Sequence, residues 1–215
     1  MDKSVDFNTH LETWEELFIN NKVLREETEK TISNLRKRSN ETDGRIFPSA
    51  NNVFRAFRET PIDKIQYVLL GQDPYNNLYK GVPSACGLSF VTENGYINHS
   101  LQILSENLNI NPREFKDFMT DKGVLLLNSY LTVEQGAPRS HKKIWDEFSK
   151  ILVTIISRYK PNLTWVLLGE DAKAYRNYIV EGKIVTAIHP AALARRNVKG
   201  VYPDYQRLFK ELKWI

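Results

Sequence analysis

Two periodicities divide the chain. Over the first forty residues Leu11, Trp14, Leu17 and Phe18 recur at helical spacing and a charged stretch follows from Glu26 to Arg38, a pattern that predicts helices. The polar run RKRSNETDG breaks it. Beyond the break short apolar runs alternate with longer amphipathic ones, as βα units around a parallel sheet require. Four short runs read as strands: Tyr67 to Leu70, Val124 to Leu127, Thr164 to Leu168, and Lys183 to Ile188. Each is rich in Val, Leu or Ile and is expected to be buried on both faces. No repeat and no low-complexity tract interrupts the series. The expected architecture is an α/β single domain with a central four-stranded, mainly parallel sheet flanked by helices. Residues 1–40 form a helical segment packed on the 41–215 body.

The residues after each strand carry the chemistry. The runs end in Gly71-Gln72-Asp73-Pro74-Tyr75, Asn128-Ser129-Tyr130, Gly169-Glu170-Asp171 and His189-Pro190. Open parallel sheets bind ligands outside the carboxyl ends of their strands, so an Asp, an Asn and a His are expected to share one cleft. Taken singly, each has a structural reading as well. Asp-Pro-Tyr makes a turn, Asn128 caps a helix, and His189 is a satisfied histidine before a proline. A turn, a cap and a core histidine have no common reason to occupy the ends of successive strands.

Composition narrows the classes. The chain has 215 residues, 30 Lys+Arg against 26 Asp+Glu, and a net charge of +4. It is long enough for a substantial core, and its charge excess permits a nucleic-acid partner without requiring one. A single cysteine, Cys86, excludes an intrachain disulfide and a Cys-based metal site. No apolar run approaches the ~18 residues of a membrane span, and the start MDKSVDFNTH is polar where a signal peptide is basic and then apolar. The expected setting is cytoplasmic, or nuclear in a eukaryotic host. Phosphate-loop, dinucleotide, zincin and serine-hydrolase motifs are all missing. His10, His99, His141 and His189 include no i, i+4 pair, which leaves a metal site little support.

The stretches IFPSANNVFRAFRETPIDKIQYVLLGQDPYN, GLSF, GVLLLNSYLTV with SHKKIW, and AIHPAALARR follow one another in an order and spacing that resembles family 1 uracil-DNA glycosylase across roughly residues 46–215. The resemblance implies hydrolysis of the N-glycosidic bond of uracil in DNA, releasing uracil and leaving an abasic site, as in base-excision repair. It implies Asp73 as the catalytic carboxylate and His189 as the imidazole that hydrogen-bonds uracil O2. Gln72 belongs to the same motif, Tyr75 fills the space beside C5, Phe90 is the stacking floor, and Asn128 reads N3–H and O4. Contacts to DNA fall on Ser100, Gly169, Ala191, Arg195 and Arg196, with Leu193 as the wedge that enters the duplex. The implied chemistry uses neither metal nor organic cofactor. Its partner is uracil-containing DNA, single- or double-stranded, with no membrane. The expected state is a monomer open to a protein inhibitor or a replication partner.

The sequence also departs from the family pattern beside the DNA. Asn76 stands where the motif tyrosine is usually followed by His, and the stretch between Asp73 and Phe90 is a few residues longer. ENGYINHS replaces a proline-rich loop and keeps the expected hydroxyl only at Ser100, while Glu170, Ala191 and Ala192 replace Ser, Ser and Pro. Two carboxylates at 170 and 171 are expected to repel phosphate, with Arg195, Arg196 and Lys199 in compensation. These changes motivate an alternative, a glycosylase-fold DNA-binding or replication scaffold protein with weak or no turnover. Retention of Asp73, Asn128 and His189 argues against it, and Tyr75 argues against a glycosylase that accepts thymine.

Overall fold

The computed structural model describes residues 11–41, 45–195 and 200–215. Its strands are β1 (Ile46–Phe47), β2 (Tyr67–Gly71), β3 (Leu78–Tyr79), β4 (Val82–Pro83), β5 (Val124–Asn128), β6 (Val133–Glu134), β7 (Thr164–Leu168) and β8 (Lys183–Ala187). The helices are α1 (Glu15–Asn20), α2 (Lys22–Glu41), α3 (Arg55–Glu59), α4 (His99–Leu108), α5 (Phe115–Asp121), α6 (Lys142–Tyr159), α7 (Glu170–Lys173), α8 (Pro190–Arg195) and α9 (Pro203–Glu211). Helix α2 runs through RKRSNE to Glu41, so most of the polar run read as a break is the exposed end of a helix.

The four long strands form one parallel sheet in the order β5-β2-β7-β8. Successive residues of β2, β5 and β7 are buried irrespective of side, so helices cover both faces there. Strand β8 departs from that expectation. It is the edge strand, and Lys183 and Thr186, which point to opposite faces, are both exposed. Two-residue antiparallel ribbons, β1 with β6 and β3 with β4, lie outside the main sheet.

Helix α6 shows why the segment is helical and what it buries. Trp145, Phe148, Ser149, Leu152, Val153 and Ile156 repeat at three- and four-residue steps and all are buried. Against this stripe pack Phe18 and Phe54, which, with Phe57, Trp14 and Trp145, build an aromatic cluster of mostly edge-to-face contacts. The Trp14 indole donates to Thr60 O at 2.8 Å, so the N-terminal helices share the core of the sheet body.

Register sets the floor of the site. Gly71 is paired with Asn128 and Leu168 with Ala187, so the four strands end at one level with their polar tails on the same edge.

Candidate active site

Asn128 is the last residue of β5, and its amide lies against the end of β2. A Cβ on Gly71 would come within 2.4 Å of Asn128 Oδ1, so only glycine leaves room for that amide. The segment carrying Phe90 is stitched to the same strands, Ser89 N–H to Leu126 O (3.1 Å) and Ser89 Oγ–H to Leu69 O (3.2 Å). Phe90 itself is buried in a left-handed conformation (φ 62°), with its ring centroid 5.8 Å from that of His189.

His189 follows β8 and is fixed on two sides. The Ala191 backbone N–H donates to His189 Nδ1 at 3.1 Å. A backbone amide can only donate, so this contact assigns Nδ1 as the acceptor and the ring proton to Nε2. Gly169, at φ 89°, closes the other side, since a Cβ there would stand 2.7 Å from His189 Cβ. Ala191 therefore acts on His189 through its backbone. A cleft of about 650 Å³ is lined by Gln72, Arg139, Gly169, Asp171, His189 and Ala191, among others.

Asp73 is a partly buried carboxylate beside Gln72 and Arg139 of that lining. Its Oδ2 accepts the Arg139 backbone N–H at 2.8 Å, while its Oδ1 is buried with no hydrogen-bond partner among the described residues. Burial raises its pKa above the usual carboxylate value, and the Arg139 N–H and charge oppose that rise. Arg139 holds a left-handed backbone (φ 61°), which costs a non-glycine residue about 1 kcal/mol. A hydrogen bond to a charged group contributes about 1.5–3 kcal/mol, enough to offset it. The Gln72 carboxamide, oriented so that both its ends are satisfied, donates to Asp171 Oδ2 (2.9 Å) and accepts from Arg139 Nε (2.6 Å).

Tyr75 packs beside Phe47, Ala85 and Val133 in a small apolar cluster, and burial pushes its phenol far above the ordinary value, so it stays neutral. Behind the loop that carries Arg139 runs a buried polar chain. The Trp145 indole donates to Thr132 Oγ1 (2.6 Å), and Thr132 Oγ1 stands 2.8 Å from His141 Nδ1. His141 Nε2 reaches Glu134 Oε1 (3.3 Å), which also accepts Arg38 Nε of α2 (2.6 Å). Burial lowers the His141 pKa, so its single proton points at Glu134 and Thr132 donates to Nδ1.

The structure thus brings Gln72, Asp73, Asn128, Gly169 and His189 to one edge of the sheet, with Phe90 against His189. It does not present every residue that the resemblance assigned to DNA. Ser100 lies in the first turn of α4 and Leu193 in α8, and both are buried, 7% and 8% exposed. Leu193 is buried in this conformation and lines one cleft with Tyr202 and Tyr205. Leu193→Ala is accordingly expected to destabilise the fold by about 2–5 kcal/mol, the usual cost of truncating a core leucine, with equal losses of turnover on single- and double-stranded substrate. A selective loss on duplex, with Tm unchanged, would restore the wedge. Glu170 and Asp171 are not two uncompensated charges either, since Glu170 lies 2.7 Å from Lys173 and Asp171 2.6 Å from Arg139. The Arg195 side chain and Arg196 lie outside what the structure describes, as does Lys199.

Arg139, whose backbone N–H reaches Asp73, is a residue of the site that the sequence reading passed over. Its R-S-H context was visible, but its role is carried by a backbone N–H and a left-handed turn that no side-chain motif encodes. Among the described residues no cluster of His, Cys, Asp and Glu suited to a metal ion occurs.

The family model of the Uracil DNA glycosylase superfamily matches residues 57–213, most of the chain. The chain belongs to the uracil-DNA glycosylase superfamily. A uracil-DNA glycosylase of Helicobacter hepaticus is 38% identical over 164 residues, covering 70% of each chain. One of Campylobacter jejuni subsp. doylei is 39% identical over 165 residues, 72% of this chain and 70% of its own. The crystal structure of a mimivirus uracil-DNA glycosylase superposes with a TM-score of 0.69 at 26% identity, over 83% of this chain and 68% of that one. A variant of the mimivirus enzyme in complex with UGI gives 0.75 at 25% identity, over 88% and 74%. This glycosylase is thus a hydrolytic enzyme of uracil in DNA, with base-excision repair as its general role.

Proposed function

We propose that this glycosylase releases uracil through Asp73, Asn128 and His189, with Phe90 and Tyr75 shaping the base pocket. The observation that carries the reading is the arrangement of charge. A partly buried carboxylate with one unpartnered oxygen and an imidazole with its proton on Nε2 belong to one cluster of strand ends. Cleavage breaks the bond between C1′ and N1, leaving an electron pair on the base and positive charge on the sugar. Asp73 stabilises the sugar cation and orients a water whose oxygen bonds to C1′ as one of its protons passes to the Asp73 carboxylate, and His189 Nε2–H donates to the O2 where the base's charge collects. The flipped base costs a few kcal/mol to unstack, which favours single-stranded or weakly paired uracil. That cost, together with the buried Leu193, supports single-stranded DNA as the better substrate. A monomer, cytoplasmic or nuclear, that accepts a protein inhibitor completes the reading, the last supported by the relative bound to UGI.

The test is release of free uracil from a uracil-containing oligonucleotide in EDTA. Undiminished activity, with an abasic site and an uncut backbone, is expected, because the proposed chemistry runs on side chains alone. Loss of activity on chelation, or strand cleavage through a covalent imine, would show a different reaction.

Base choice rests on Asn128 and Tyr75. The Asn128 carbonyl accepts from N3–H and its amide donates to O4, whereas cytosine presents the opposite pattern. Asn128→Asp is expected to admit cytosine and Tyr75→Ala to admit thymine, while the wild type ignores both. Excision of thymine from a T:G pair by the wild-type enzyme would contradict the pocket.

A further inference from the structure

We propose that Arg139, clasped by Asp171 and Gln72, is a positioning residue of the glycosylase reaction. It holds the Asp73 carboxylate in its reactive orientation, which makes Asp171 a working part of the active site. The proposal deepens the function argued above and rests on it.

Arg139 uses its main chain and side chain for separate tasks. The backbone N–H reaches Asp73 Oδ2 at 2.8 Å, on the loop after β2. The guanidinium turns to the loop after β7, where Nη2 meets both Asp171 oxygens at 2.7 and 2.6 Å. Nε meets the Gln72 carbonyl at 2.6 Å, next to Asp73 in sequence. The ends of β2 and β7 are therefore tied together through one residue on the loop before α6.

The backbone conformation explains why a tie is needed. At φ 61° Arg139 occupies a left-handed geometry that arginine does not adopt unaided. Left to relax, the turn would swing its N–H away from Asp73. Asp171 and Gln72 grip the far end of the side chain and oppose that relaxation. An ion pair as exposed as this one, 54% and 44% by side chain, adds little to stability. Its effect lies in orientation. The neighbouring Glu170 takes no part, since it pairs with Lys173 instead.

Electrostatics gives the proposal a signature. The charges acting on Asp73 are Arg139, Asp171 and Lys142, and Glu170 and His189 line the same cleft as Arg139 and Asp171. Arg139, through its N–H and its charge, lowers the Asp73 pKa, and Asp171 raises it. Removing Asp171 as a mere nearby anion would lower that pKa and move the acid limb of kcat to lower pH. Removing it as the anchor of Arg139 releases the N–H, so the limb moves to higher pH and kcat falls.

The experiment measures kcat, KM and Tm across the acid and neutral range on a single-stranded uracil oligonucleotide. It compares wild type, Asp73→Asn, Asp171→Ala, Asp171→Glu and Arg139→Asn. Asparagine is chosen at 139 because it tolerates the left-handed backbone and keeps the N–H while deleting the clasp. Asp171→Ala and Arg139→Asn are expected to lower kcat about 10-fold or more, as misplacement of a reacting group does. KM should stay within about twofold, Tm should hardly move, and the acid limb should rise. Asp171→Glu, which keeps the anion, should recover part of the loss. Unchanged kcat in both clasp variants, or an acid limb that falls, would overturn the proposal. If Asp171→Ala does not fold, Arg139→Asn decides on kcat against KM, since loss of the guanidinium charge raises the acid limb by itself. A wild type that releases no uracil, or an Asp73→Asn variant as active as wild type, would instead sink the underlying assignment of the reaction.

Discussion

Replacing His189 with leucine is expected to lower kcat by ~10²-fold or more with little change in affinity for uracil-DNA, the scale on which removal of one oxyanion donor acts. The reason lies in when the contact matters. Negative charge reaches uracil O2 only as the glycosidic bond breaks, so a donor there stabilises the transition state more than the bound substrate. The ring must also be the right tautomer. With the Ala191 N–H on Nδ1, the proton is already on Nε2 before substrate arrives. A cation would stabilise the anion further but would cost more to bury beside the positive sugar, so the neutral form is the one suited to the site. Steady-state rates and binding of a non-hydrolysable uracil oligonucleotide, measured side by side, separate the cases. A loss confined to KM would make His189 a binding residue.

The Asp73→Asn variant is expected to lose about 10²–10⁴-fold in kcat, the range attributed to a positioned acid or base. It should also be more stable than wild type at neutral pH. Burial lifts the Asp73 pKa in the native state above its value in the unfolded chain. Between those two values the native protein binds more protons, so stability falls as pH rises through the window and the penalty is complete above the native pKa. Below the unfolded pKa the carboxyl is protonated in both states and the penalty vanishes. Tm followed from neutral to acid pH should therefore show the gap between variant and wild type closing. A gap that is absent at neutral pH, or that widens toward acid, would mean that Asp73 is not desolvated as described. Activity and stability pull in opposite directions at this residue because the ionised form needed for catalysis is the form that burial disfavours.

Much of the architecture was legible because three of the four long strands are apolar on both sides, and such runs have few other readings. Lys183 to Ala187 was legible as a strand but not as an edge, since its partial exposure depends on which neighbour it lacks. The two-residue ribbons were not legible at all, because two residues carry no period. In the site, Asp73, Asn128 and His189 announced themselves by following strands. Ser100 and Leu193 were named by motif, but a motif specifies identity and not orientation, and the helices that carry them turn both inward. Arg139 escaped because its contribution depends on a backbone conformation. Gly71 and Gly169 escaped in part, since their value is the Cβ they lack and the side chains that approach them.

The buried polar chain from Trp145 through Thr132 and His141 to Glu134 and Arg38 makes the catalytic loop and α2 open together or stay closed together. Separating them exposes a neutral imidazole, an indole N–H and a carboxylate whose partners all lie inside the chain. Native-state amide exchange should therefore place the loop's anchors, around Thr132 and Trp145, in the same cooperative unit as the C-terminal part of α2, around Arg38. Arg139 and Ser140, at the tip, should exchange through smaller local openings. The enzyme consequently has one cooperative support behind a loop whose tip, Arg139, is held separately by Asp171 and Gln72.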